Sequence, residues 1–169
     1  MEQAHVSLAA SSIVRICCDR FEEQDWSGRF YTMYREEPAS FLNTRELLEG
    51  LDGFYNWLGY PQTSMAERNF LEPLEEKASS SLAFGRKKKT RQKGEEIVVG
   101  RDEMNKHQGG KATFVVRIQY RQNASWQGQI TWAEKNKTVS FRSALELLKL
   151  IDSTESSAEE NWDRGDEQE

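Results

Sequence analysis

The chain has little of what most catalytic and metal sites are built from: of its 169 residues, two are histidine, two cysteine and three proline. The two cysteines are neighbours, Cys17 and Cys18, and vicinal thiols rarely close a disulfide because the ring is strained. A disulfide framework is therefore excluded, and a reducing compartment is expected. No apolar run approaches the roughly 18 residues of a membrane-spanning helix. The opening Met1-Glu2-Gln3-Ala4-His5 has neither the basic flank nor the apolar stretch of a signal peptide, so a cytoplasmic protein without a membrane partner is expected.

Chemistry-bearing motifs are also missing. His5 and His107 stand in polar stretches with no metal-spaced neighbours and are read as solvated. No Gly-rich phosphate loop, nucleophile elbow or Cys/His cluster occurs. No catalytic residue, cofactor or metal site is assigned, and an enzyme is not expected. Cys17 has Arg15 and Arg29 nearby as charges that would activate a thiolate. On a strand, however, Cys18 faces the core and Cys17 the opposite side, and inert packing is the expectation for both.

What the chain does have is a repeat. Trp26, Gly28, Ser40, Phe41, Glu46, Leu47, Leu48 and Asp52 recur without a gap as Trp126, Gly128, Ser140, Phe141, Glu146, Leu147, Leu148 and Asp152, one hundred residues on. Upstream, Val14-Arg15-Ile16 matches Val116-Arg117-Ile118, which implies a two-residue offset in the connecting turn. A unit of about 40 residues cannot bury an independent core, so the two copies are expected to pack together. Five Trp, five Tyr and eight Phe give that core bulk although only 37% of the chain is hydrophobic.

Local patterns fill in each copy. Val14, Ile16 and Cys18 alternate with polar neighbours, a polar turn runs from Glu22 to Asp25, and Trp26, Gly28, Phe30, Thr32 and Tyr34 return on one parity. That is a hairpin. Phe114, Val116, Ile118 and Tyr120, then Trp126, Ile130 and Trp132, make a second one, with a short third strand expected at Val139–Phe141. Both Trp26 and Trp126 are expected to be buried. Asn43 with Glu46 and Ser143 with Glu146 mark helix starts, and Leu47, Leu48, Leu51, Phe54, Tyr55 and Leu58 form the first helix's apolar stripe, which Gly59 and Pro61 end. A further short helix is expected from Ser64.

The expected fold is α+β: internally duplicated β-hairpin-plus-helix units, their antiparallel sheet covered by helices on one face. Residues 1–78 form the first unit with its extra helix, 79–112 a mobile polar linker, 113–152 the second unit, and 153–169 an acidic disordered tail. Within the linker, Ile97-Val98-Val99 is a candidate edge strand.

Charge is segregated. Residues 11–60 carry five basic and nine acidic side chains, whereas 113–152 carry six basic and three acidic. The tail 153–169 holds seven acids against one Arg, and residues 86–93 hold six Lys or Arg. Candidate polyanion-binding residues are therefore Arg86, Lys87, Lys88, Lys89, Arg91 and Lys93, with Arg117 and Arg121 on the second hairpin. The strand–strand–short strand–helix order of 113–152 resembles, in element order, the small three-stranded DNA-reading domains of AP2 and integrase-arm type, which implies a nucleic-acid face on that sheet. Two functions stand side by side: a non-catalytic module binding a protein partner, and a nucleic-acid-binding protein using the basic linker and the second unit's open sheet face, for DNA or RNA.

Overall fold

The computed structural model describes residues 8–61, 97–121 and 125–160. A short helix α1 (Leu8–Ser11) leads into β1 (Val14–Glu22), β2 (Asp25–Thr32), β3 (Ala39–Phe41) and α2 (Thr44–Leu58). The one-turn α3 (Arg101–Met104) precedes β4 (Ala112–Tyr120), β5 (Gln127–Trp132), β6 (Lys137–Phe141) and α4 (Ala144–Glu160). The fold is α+β, with one six-stranded antiparallel sheet in the order β3-β2-β1-β4-β5-β6.

Sequence patterns account for most of these elements. Glu23 and Gln24 adopt positive φ between the paired Glu22 and Asp25, the tight geometry that suits a two-residue hairpin turn. Asn43 caps α2 by accepting the Glu46 N–H at 2.8 Å while the Glu46 carboxylate accepts the Leu42 N–H at 2.8 Å. Ser143 and Glu146 repeat this arrangement at α4, with 3.0 Å and 3.3 Å bonds. Gly59, with φ of 68°, stops α2 and donates its N–H to the Tyr55 carbonyl. The strand Val139–Phe141 is present and begins earlier, at Lys137, whereas β3 is an additional element whose Pro38-Ala39-Ser40 context carries no strand period.

The hairpin registers correct the expected offset. Cys18 pairs with Gly28 and Gly28 with Phe41; Ile118 pairs with Gly128 and Gly128 with Phe141. Each first strand bulges at the next step, between Cys18 and Arg20 and between Ile118 and Tyr120. The spacing of one hundred thus extends through the first strand, Arg15 lies directly opposite Val115 in the β1–β4 seam, and the Val-Arg-Ile identity is out of structural register. Gly is required at both bulges, since a Cβ on Gly28 would sit 2.0 Å from the Cys17 carbonyl oxygen and one on Gly128 2.0 Å from that of Arg117.

One buried cluster holds Val14, Ile16, Cys18, Trp26 and Phe30 with Phe114, Val116, Ile118 and Ile130, together with Leu47, Leu51, Phe54 and Tyr55 of α2 and Leu147 and Ile151 of α4. A second, on the other side of β1 and β2, contains Ile13, Cys17, Tyr31, Met33 and Met104. Residues 97–111 create that second cluster. The Val98 and Val99 N–H groups both donate to the Met33 carbonyl, Met104 is inserted into the cluster, and the Lys111 N–H donates to the Cys18 carbonyl at 2.9 Å.

Several expectations change accordingly. The part of the linker from 97 onward is docked, and Ile97-Val98-Val99 bonds to Met33 without forming a strand. Residues 79–96 and the helix expected from Ser64 lie outside the described residues. The tail does not start at 153: α4 runs to Glu160, Thr154 is buried, and Glu155 pairs with Lys111 at 3.2 Å. Trp26 is buried with its indole N–H on the Asp152 carboxylate at 2.9 Å, whereas Trp126 is half-buried.

Candidate functional site

The outer side of the sheet, opposite the larger cluster, divides into a covered and an open half. Over β1 and β2 the strap 97–111 occupies the charged side chains. Arg15, 6% exposed, donates from Nε to the His107 carbonyl at 2.6 Å. Arg29 pairs with Asp19 and donates to the Tyr31 hydroxyl at 2.7 Å and the Gln108 carbonyl at 3.2 Å. His107, read from the sequence as solvated, is half-buried and stacks on Tyr31 at 3.8 Å between ring centroids. The strap therefore buries Arg15 and engages Arg29, which stays partly exposed, in bonds within the chain.

The two thiols belong to this packing. Burial raises the Cys17 pKa to about 11, outweighing the opposing charges of Arg29 and Arg15, and burial pushes Cys18 up further. Both thiols are held protonated, and neither has the lowered pKa of a reactive cysteine. Among the described residues no group of His, Cys, Asp and Glu converges to hold a metal ion. No helix of the described residues is long and apolar enough to cross a membrane.

The open half is the outer side of β4, β5 and β6. Alternation places Arg117, Gln129 and Ser140 in one cross-strand row, with Thr131 bonded to Thr138 at 2.8 Å in the next. Gln119, Gln127, Gln129, Thr138 and Ser140 are exposed, and these outward residues include no carboxylate. At the row's inner end a depression of about 280 Å³ is lined by Tyr60, Arg117, Ile118, Gln119 and Tyr120.

Of the candidate polyanion residues only Arg117 and Arg121 lie among the described residues, and these two do not share a surface. Arg86, Lys87, Lys88, Lys89, Arg91 and Lys93 lie outside the described residues. Arg117 is on the open face, half-buried, whereas Arg121 is 4% exposed and turned inward. It donates to the Pro61 carbonyl at 2.9 Å, the Asn56 side chain at 2.9 Å and the Asp52 carboxylate at 3.2 Å. Its guanidinium also lies 5.7 Å from the centre of the Tyr55 ring. Burial lowers its pKa, with Asp52 opposing that shift. The bulge after Ile118 reverses the simple odd–even alternation that placed Arg121 beside Arg117. Tyr60 was missed as part of the site because it follows the Gly59 helix stop, and only the folded chain brings it beside β4.

No protein-family model, curated protein or solved structure matches the chain.

Proposed function

We propose that the chain is a non-catalytic, cytoplasmic interaction module built by internal duplication, with α2 and α4 covering one face of its sheet and the opposite face of β4–β6 presented to a protein partner. The observation that carries this reading is the asymmetry of the outer face: a docked strap over β1–β2, and exposed amides and hydroxyls beside Arg117 over β4–β6. Tyr, Arg and adaptable polar side chains of this kind suit a partner surface rich in hydrogen-bonding groups. The duplication is supported by the matching registers, bulges and helix caps one hundred residues apart. Buried free thiols fit a reducing compartment.

The nucleic-acid alternative draws on the same row of outward residues but loses Arg121 to the interior, leaving Arg117 as its only cation in that row. Affinity capture of the full chain from lysate, with and without nuclease, separates the two. A partner that survives nuclease and is lost on Gln129→Glu supports the module. Retention that depends wholly on intact nucleic acid would replace it with the alternative.

A further inference from the structure

Arg15, Arg29 and Arg121 each place their guanidinium against a carbonyl or carboxylate of the chain. Arg117 is half-buried on the open face, yet among the described residues it has no hydrogen bond or ion pair. A partly desolvated cation without a partner is unusual, because the water it loses is ordinarily replaced by an anion or an acceptor. We infer that the depression around Arg117 seats a carboxylate from an extended acidic segment of a protein partner. This rests on the protein-binding function proposed above and names the chemistry of the partner.

Size and surroundings argue for that occupant. A volume of about 280 Å³ falls at or below the usual range for whole small-molecule ligands and suits one side chain of a larger partner. Tyr60 and Tyr120 line the same depression as Arg117, and Tyr and Arg are residue types that concentrate binding energy. From Arg117 the row continues through Gln129 to Ser140, offering an amide and a hydroxyl to an extended backbone, and the row itself holds no carboxylate to repel an acid. A nucleic-acid strand would instead call for several cations along its phosphates, and the outward residues beyond Arg117 in this row are neutral.

The test is display selection of short random peptides against the immobilised full chain, with single- and double-stranded DNA oligonucleotides assayed in parallel. Selected peptides are expected to share an Asp or Glu, and Arg117→Gln is expected to weaken them roughly 10- to 100-fold, the loss of one charge-assisted contact. Arg117→Lys should recover part of that loss. Unchanged denaturation midpoints verify that both variants fold, and Tyr120→Ala tests the flank independently. Peptides without a shared acid, or indifferent to Arg117→Gln, overturn the carboxylate seat and leave the module standing. Failure to select any peptide, or Arg117-dependent binding of the oligonucleotides alone, overturns both.

Discussion

The two halves of the sheet use the same register to different ends. Gly28 and Gly128 let a bulged strand pass at the same point, and Phe41 and Phe141 lie opposite them. Around those shared positions the side chains diverge. In the first half Phe30 fills the space beneath Gly50, where a Cβ would come within 2.8 Å of the ring. The positions one hundred residues on hold Ile130, buried in the same cluster, and Leu150, half-buried against it: a smaller strand residue and a larger helix residue. The second pair is the bulkier of the two in total, so the layers are filled differently in the two halves. Asp52 and Asp152 also serve the opposite half in different ways, one receiving Arg121 and the other Trp26. The outer faces differ most: β1 is buried on both sides because the strap covers it, while β5 and β6 keep an open side. The same element order can therefore supply a structural platform in one half and an accessible surface in the other.

The tryptophans offer the largest expected break in the comparison. Trp26→Ala should lose about 3–5 kcal/mol in chemical denaturation, since it removes a fully buried ring and its bond to Asp152. The half-buried Trp126 should lose about half as much or less on the same truncation. Equal losses would mean that the two environments are more alike than their burial implies. The glycines should behave in the opposite way: Gly28→Ala and Gly128→Ala are each expected to cost about 3 kcal/mol, because a methyl would overlap a backbone carbonyl in both bulges. A large cost at one and none at the other would contradict the shared geometry.

The exchanged core pair provides a more moderate test. Gly50→Leu should destabilise by about 1–3 kcal/mol through overlap with Phe30, and the double variant with Phe30→Ile, which imports the second half's pair, should recover part of that. A double variant no more stable than Gly50→Leu alone would show that the two layers do not compensate.

The thiols should give the smallest effect at neutral pH. Burial favours the protonated form of Cys17, so its contribution to stability is complete below the unfolded value of 9.0 and declines as pH rises towards about 11. Folded protein at pH 8 should resist alkylation that denatured protein undergoes at both cysteines. Rapid labelling of Cys17 in the folded state would show that the strap over the first half opens readily.

Much of the fold was legible because it rests on local periodicity. Alternation identified both hairpins, Asn43–Glu46 and Ser143–Glu146 identified both helix starts, and the opposite facing of Cys17 and Cys18 follows from strand geometry. Less of the candidate site was legible. Arg117 could be placed on an outward strand position, but the bulge that turns Arg121 inward leaves no reliable mark in residue pattern. His107 and Met104 lie in a stretch without period, and their docking depends on a surface some ninety residues away in the chain, as the Arg15 bond to the His107 carbonyl illustrates.

The sequence by itself determined the two hairpins, the caps of the two long helices, the inward parity of the hairpin core and the recurrence of residues at a spacing of one hundred. Each of these depends on neighbours within a few residues, or on direct identity at a constant spacing. Tertiary structure alone decided that β1 and β4 join the hairpins into one sheet, that residues 97–111 cover one outer half, and that Arg121 is buried while Arg117 lines a depression together with Tyr60. Those outcomes turn on long-range burial and on partners for buried polar groups, and the composition of a local segment does not specify which distant carbonyl or carboxylate it will meet.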